Sequence, residues 1–94
     1  MDASVPDVLY HGTAPEDVEN ILADGLRPMG RQKVHLSASP SSAREVGERH
    51  AAAPTILRVD AAAMLSDGRR VTKRGQDTYT ADRVPPEYLM VEER

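Results

Sequence analysis

The sequence contains no cysteine, phenylalanine or tryptophan, and its three tyrosines are the only aromatic residues. Without cysteine, the protein forms no disulfides and no thiolate metal sites. Tyr10, Tyr79 and Tyr88 are too few for a platform on which the bases of a single-stranded nucleic acid stack. No apolar run is long enough to span a bilayer. The motifs G-x-G-x-x-G and G-x-x-x-x-G-K-[ST] are also missing, so a bound nucleotide would be held without a glycine-rich phosphate loop.

The length of 94 residues suits one domain, residues 1–94. A domain of this size buries only roughly 60–65% of its unfolded surface, so its core is expected to be thin. The start, "MDASVPD", is acidic and lacks the basic and apolar parts of a signal peptide. The sequence therefore predicts a cytoplasmic protein without membrane association, or a domain of a larger one.

Charge is distributed unevenly along the chain, although the formal net charge is only −3. The segment from Arg27 to Arg74 carries ten Lys/Arg and four Asp/Glu, whereas the two flanks together carry two basic and eleven acidic residues. Such a basic middle can attract an anionic ligand despite the acidic total. A mixed solvated surface is the alternative interpretation.

Residues 8–25 predict a strand, a turn and a helix. Val8 to His11 has the pattern of a short strand. Thr13 and Glu16 fit a capping box, in which Thr13 caps the helix and Glu16 bonds back to the cap amide. Gly25 suits the left-handed position after the last helical turn.

The remainder predicts short strands around a second helix. Ser39 followed by Pro40 is typical of a helix cap and a first helical residue. Five further segments have strand-like composition, and a sixth suits about one helical turn: Val34–Ser37, Thr55–Asp60, two short runs around Gly75, Leu89–Val91, and Ala61–Leu65. Short strands with two short helices and no regular βαβ alternation predict a compact α+β domain.

Five segments occur in a characteristic order: "LYHGT", "GLRPMGRQKVHLS", "AREVGERH", "ILRVDAAAM" and "VPPEYL". Together they resemble the C-terminal, NAD-binding lobe of the RNA 2′-phosphotransferases, a branch of the ADP-ribosyltransferase superfamily. The resemblance covers about Val8 to Leu89. It implies a split-β-sheet fold, with NAD as co-substrate in a cleft between two small antiparallel sheets.

The resemblance also implies a two-step reaction on phosphorylated RNA, as in tRNA processing. The RNA 2′-phosphate attacks the ribose carbon that carries nicotinamide, and nicotinamide leaves. The ribose 2″-hydroxyl then attacks the phosphorus and expels the RNA 2′-hydroxyl, giving ADP-ribose 1″,2″-cyclic phosphate. An anionic phosphate nucleophile needs positioning and charge neutralisation rather than a general base.

Site residues follow from the same resemblance. Arg31 matches a catalytic arginine, and the planar guanidinium suits bidentate phosphate binding. His35 is assigned with it to catalysis. The residues assigned to NAD binding are His11, Gly12, Thr13, Ser37, Arg49 and Tyr79. No metal ligands are implied.

Plainer interpretations remain for several of these residues. A histidine at a strand end, such as His11 or His35, often only satisfies a backbone group. Arg31 taken alone is a surface arginine, and Tyr79 suits the core of a strand. Each of these alternatives predicts a side chain that contacts protein or water instead of ligand.

Two departures from the family pattern weaken the assignment to tRNA dephosphorylation. Lys33 stands where the family often has the first histidine of His-Val-His. The N-terminal RNA-binding lobe is expected to be absent, because only seven residues precede Val8. A partner chain or self-association would then supply its basic groups. Alternative functions are an ADP-ribosyltransferase acting on RNA ends or protein, as in a toxin, and a non-catalytic NAD- or phosphate-binding module.

Overall fold

The computed structural model describes residues 5–28, 33–49 and 51–92. The strands in these ranges are β1 (Val8–Thr13), β2 (Val34–Ser37), β3 (Thr55–Asp60), β4 (Val71–Lys73), β5 (Thr78–Ala81) and β6 (Leu89–Val91). The α-helices are α1 (Val18–Asp24), α2 (Pro40–Gly47) and α3 (Ala61–Ser66), and 3₁₀ turns cover Pro15–Asp17 and Pro86–Tyr88. The α+β prediction is confirmed, and the helical turn expected after β3 forms the third short helix, α3.

The described strands form one antiparallel sheet in the order β4-β5-β2-β1-β3-β6. β1 pairs with β3 along its whole length, but it pairs with β2 only through Tyr10 and Ser37. The two separate sheets expected from the resemblance are thus joined, and this expectation is corrected. Because the joint is a single residue pair, the strands diverge beyond it and leave an opening between the two halves of the sheet.

One face of the sheet carries the main core. Alternate residues of the strands point to this face, and Leu9, Leu36 and Val59 on it are at most 1% exposed. Met64 of α3 and Val84 of the β5–β6 connection pack against them. The core therefore lies between the sheet and α3.

Helix α2 covers part of the other face and lies directly on β1. A Cβ atom added at Gly12 would lie 2.2 Å from the carbonyl oxygen of Ala43 and 3.1 Å from Cα of Gly47. A Cβ atom at Gly47 would in turn lie 2.8 Å from Cβ of Pro54. Glycine at position 12 is therefore required by the close approach of a strand and a helix.

The start of the first helical segment differs from the prediction. Thr13 is the last residue of β1 and pairs with Thr55. Ala14 occupies the cap position, with an extended backbone and no side-chain hydrogen bond. Pro15 disfavours a helical conformation for the residue before it, which explains why the helical turn starts there. The predicted capping box of Thr13 and Glu16 is wrong.

The other two boundary predictions hold. Gly25 ends α1 with φ +85° and ψ 175°, a combination that is nearly restricted to glycine. This conformation directs Leu26 into a short antiparallel bridge with Val84. The side chain of Ser39 accepts a hydrogen bond from the amide of Ser42, as expected of a helix cap. In the ranges that the structure covers, no helix is long and apolar enough to cross a membrane.

Candidate active site

A cleft of about 680 Å³ lies where β1 and β2 diverge. The end of β1 and the start of β2 form its floor, and the segment from the 3₁₀ turn through α1 to Pro28 forms one side. Its lining includes His11, Gly12, Thr13, Arg27, Lys33 and His35. Clefts of about 300–1,000 Å³ are typical of sites for small molecules and cofactors.

His11 links the two strands at the point where their backbones separate. Its Nδ1 atom lies 3.0 Å from the backbone carbonyl oxygen of His35. Because a carbonyl oxygen only accepts, Nδ1–H is the donor, and in the neutral ring Nε2 is then the unprotonated nitrogen. The imidazole thus takes the place of a cross-strand backbone hydrogen bond. His11 thus satisfies a backbone group, as its plainer interpretation predicted, and it also lines the cleft, whereas its contact with NAD stays a prediction.

The walls of the cleft differ in charge. Glu16, Asp17 and Asp24 lie on the side formed by the 3₁₀ turn and α1. Arg27 lines the cleft shortly after α1, and Lys33 lines it directly before β2. An anionic group is therefore expected on the side of Arg27 and Lys33, because the α1 side would repel it.

Lys33 forms a salt bridge with Asp82, which follows directly after β5. The hydrogen bond and charge of Lys33 hold the pKa of the Asp82 carboxyl below its usual value, and the charge of Arg70 adds to this effect. The side chain of Asp82 is 73% exposed, so the bridge contributes little to the stability of the fold. Sequence reasoning missed Asp82, because only the pairing of β2 with β5 brings it opposite Lys33.

The structure brings four of the predicted site residues to the cleft: His11, Gly12, Thr13 and His35. His35 is exposed, whereas Thr13 is only 8% exposed. Gly12 has no side chain, and α2 occupies the space that a side chain at this position would need. The prediction that glycine there allows close approach of NAD therefore has a competing explanation in the packing of α2.

Three predicted site residues do not line the cleft. Ser37 is buried in the sheet between Tyr10 and Thr78, with which it pairs. Tyr79 is 3% exposed and belongs to the core, as its alternative interpretation predicted. Arg49 is exposed beyond the end of α2. Their contact with NAD stays a prediction, and Arg31 lies outside the described residues.

Comparison with known proteins decides the family. The model of the RNA 2′-phosphotransferase, Tpt1/KptA family matches residues 1–83. The chain belongs to this family. The match contains the cleft residues, and it confirms the resemblance that the ordered segments indicated.

Individual Tpt1/KptA relatives agree with this match. The chain is 59% identical over 93 residues to a probable RNA 2′-phosphotransferase of Haloarcula marismortui, covering 99% of the chain and 42% of that protein. It is 45% identical over 87 residues to probable RNA 2′-phosphotransferase 2 of Archaeoglobus fulgidus, covering 93% of the chain and 40% of that protein. The chain thus spans less than half the length of these relatives.

Proposed function

We propose that this chain forms the NAD-binding part of an RNA 2′-phosphotransferase and transfers an RNA 2′-phosphate to the ADP-ribose portion of NAD. The observation that carries the proposal is the cleft at the divergence of β1 and β2, where His11 and His35 meet in a member of this family. NAD acts as a co-substrate that supplies an activated ribose, because nicotinamide is its leaving group.

The charges and size of the cleft fit a dinucleotide. Its volume of about 680 Å³ lies within the usual range of small-molecule sites. The diphosphate would lie on the side of Arg27 and Lys33, because Glu16, Asp17 and Asp24 would repel it from the α1 side. These features support NAD as the ligand.

His11 and His35 would contact the bound nucleotide. The bond between Nδ1 of His11 and the His35 carbonyl fixes the orientation of the imidazole, so that the ring is preorganised before the ligand arrives. Preorganised polar groups lose little freedom on binding. His35 lies on an exposed part of β2 in the same cleft, where its ring can contact a phosphate or ribose hydroxyl.

Arg31 is proposed to hold the transferred phosphate, on the strength of its place in the family motif. An arginine stays charged at all working pH values and binds two phosphate oxygens at once. This neutralises repulsion when the 2′-phosphate oxygen forms its bond to the ribose carbon and the bond to nicotinamide breaks. In the second step the ribose 2″-oxygen bonds to phosphorus, and the RNA 2′-oxygen leaves and takes up a proton.

Product analysis tests the proposal. The chain is incubated with NAD and an oligoribonucleotide that carries one internal 2′-phosphate, and the products are identified by mass spectrometry. We expect nicotinamide, dephosphorylated RNA and ADP-ribose 1″,2″-cyclic phosphate. ADP-ribose attached to RNA or protein would assign the chain to another acceptor, and intact NAD with measurable binding would assign it a binding role.

A further inference from the structure

Basic residues at β2 and at the two ends of β4 lie on either side of β5, on the face of the sheet opposite the main core. Ala81, the last residue of β5, pairs with the first residue of β2 and with the first residue of β4. One step further along these pairings, Asp82 lies between Lys33 on one side and Arg70 on the other. The salt bridge of Asp82 with Lys33 and its electrostatic interaction with Arg70 agree with this register.

Two more basic residues extend this set on the same face. The Nε atom of Arg74 donates to Oγ1 of Thr80 at 3.2 Å, which places the guanidinium on the face of Thr80. His35 pairs with Thr80 from the other side, between the buried Val34 and Leu36, so its ring points to this face as well. We call Lys33, His35, Arg70 and Arg74 the basic strip.

The basic strip is available to a ligand and begins at the cleft. His35, Arg70 and Arg74 are exposed, and the side chain of Lys33 is 39% exposed. Lys33 and His35 also line the cleft, so the strip runs from the cleft across β5 to β4. The lysine and the two arginines outweigh the carboxylate of Asp82 that lies among them, so the strip as a whole is positively charged.

We propose that the basic strip binds the ribose-phosphate backbone of single-stranded RNA next to the phosphate that lies in the cleft. Successive cations on an exposed face are the usual means by which proteins bind a nucleic-acid backbone. The inference rests on the proposed function, because the strip is assigned to RNA on the ground that it begins at the cleft where the RNA phosphate would react.

The opposite route out of the cleft is unfavourable for RNA. Its wall carries Glu16, Asp17 and Asp24, and a polyanion would meet like charge there. The RNA is therefore expected to lie over β2, β5 and β4. Asp82 lies between two cations of the strip and competes with phosphate for both of them.

Charge-removing variants test the strip. The affinity of the whole chain for a single-stranded oligoribonucleotide, with and without one internal 2′-phosphate, is measured by fluorescence anisotropy across salt concentrations. Each phosphate of a single strand that the protein no longer neutralises lowers the slope of log affinity against log salt by about 0.7, or about fivefold in affinity near 0.1 M salt. We expect R70Q with R74Q to lower the slope by about 1.4 and the affinity by about 25-fold.

Lys73 provides the matched control. It is exposed on the same strand, but it pairs with Tyr79, whose side chain lies in the core, so it points to the other face. K73Q removes the same charge and should change the affinity less than twofold. If K73Q loses as much RNA affinity as R70Q or R74Q, the proposal is overturned, because RNA binding would then depend only on the net charge of the chain.

The Asp82 variant gives a test of opposite sign. D82N keeps the size of the side chain and removes the competitor for Lys33 and Arg70, so RNA should bind about fivefold more tightly. Weaker binding by D82N would overturn the proposal, because a strip that binds a polyanion by its charge must gain affinity when the carboxylate among its cations is removed.

NAD binding, measured by calorimetry on the same variants, separates this inference from the proposed function. R70Q and R74Q should leave NAD affinity unchanged, since neither residue lines the cleft. If RNA binding depends on the basic strip but no phosphate is transferred, the inference about the strip is supported and the proposed function is wrong. If phosphate is transferred and the KM for RNA is the same in R70Q/R74Q as in the unchanged chain, the proposed function is supported and the inference about the strip is wrong.

Discussion

A single imidazole at the divergence of two strands performs two tasks. His11 closes the hydrogen-bond ladder that the backbones of β1 and β2 no longer form, and it lines the cleft that their separation opens. The same bond that satisfies the His35 carbonyl therefore holds the ring at the cleft. We therefore expect that replacing His11 affects both the stability of the fold and the binding of a ligand in the cleft.

Replacing His11 by alanine should weaken NAD binding and lower the free energy of unfolding by about 0.5–1.5 kcal/mol, the usual net contribution of one hydrogen bond. Calorimetry and urea unfolding measure the two effects. His35→Ala is the control for stability, because it keeps the backbone carbonyl that accepts the bond. Unchanged NAD affinity in His11→Ala would restrict this residue to its structural role.

Arg31→Ala should reduce phosphate transfer about a hundredfold or more while NAD affinity stays within a fewfold, because loss of a preorganised charged donor acts mainly on the transition state. The measurement is single-turnover transfer with saturating NAD. Arg58→Ala is a suitable control, since Arg58 is an exposed arginine of β3 that lies 3.9 Å from the carboxylate of Glu92 and away from the cleft. Equal rates for Arg31→Ala and the unchanged chain would identify Arg31 as a surface charge.

At the level of elements, β1 and α2 lie so close together that their contact leaves no room for a side chain at position 12. Gly12→Ala should destabilise the fold by at least about 2 kcal/mol, because the new Cβ would lie 2.2 Å from a backbone oxygen that a helix holds in place. The midpoint of urea unfolding measures this loss.

Gly75→Ala is the control for that substitution. Its Cβ would lie 3.8 Å from the nearest atom, a side-chain carbon of Thr78, and the residue is exposed. We expect its midpoint to stay close to that of the unchanged chain. A Gly12→Ala protein as stable as Gly75→Ala would show that α2 can move away from β1.

The second 3₁₀ turn is attached to the end of α3 through a phenol and a carboxylate. The hydroxyl of Tyr88 donates to Asp67 at 2.5 Å, and this hydrogen bond raises the pKa of Tyr88 above its usual value near 10. As the pH rises through the ordinary pKa, the phenol of the unfolded chain loses its proton, whereas the phenol of the folded chain keeps its proton. Stability should therefore be fully present below about pH 10 and decline as the pH rises through the folded pKa.

Thermal unfolding between about pH 9 and pH 11 tests this dependence. Tyr88→Phe removes the titrating group, so its melting temperature should fall less steeply over that range than that of the unchanged chain. Asp67→Asn removes the carboxylate that raises the pKa and should also flatten the decline. Parallel curves for all three proteins would show that the bond between Tyr88 and Asp67 does not form in solution.

Local patterns predicted most elements, because the information for them lies within a few residues. Ser39 before Pro40 specified the start of α2, and Val34 to Ser37 specified β2. The packing requirement at Gly12 and the pairing of Asp82 with Lys33 depend on segments that are far apart along the chain. Only the completed sheet brings these residues together, so sequence reasoning assigned Gly12 to the ligand and did not find Asp82.

At the scale of the whole molecule, the chain spans about two fifths of the length of its first two relatives. We expect these 94 residues alone to transfer an internal RNA 2′-phosphate slowly, because the cleft has basic groups on one side and acidic groups on the other. Single-turnover rates are compared with those of the full-length relative from Archaeoglobus fulgidus over a range of protein concentrations.

The dependence on concentration distinguishes the explanations. A rate that rises with concentration would indicate that a second copy supplies further basic groups to the cleft. Rates equal to those of the full-length relative, independent of concentration, would contradict the expectation and show that this part of the protein suffices.

The strand order has a further consequence for how the molecule unfolds. The half of the sheet that contains β1, β3 and β6 and the half that contains β2, β4 and β5 are interleaved along the chain, which passes between them four times. Neither half is a continuous piece of sequence, so neither can fold before most of the chain has been made. The narrow joint at Tyr10 and Ser37 is thus a place where the halves can tilt without becoming independent folding units. Hydrogen exchange from deeply buried amides of both halves should therefore occur through one common global opening, even if the width of the cleft fluctuates far more often.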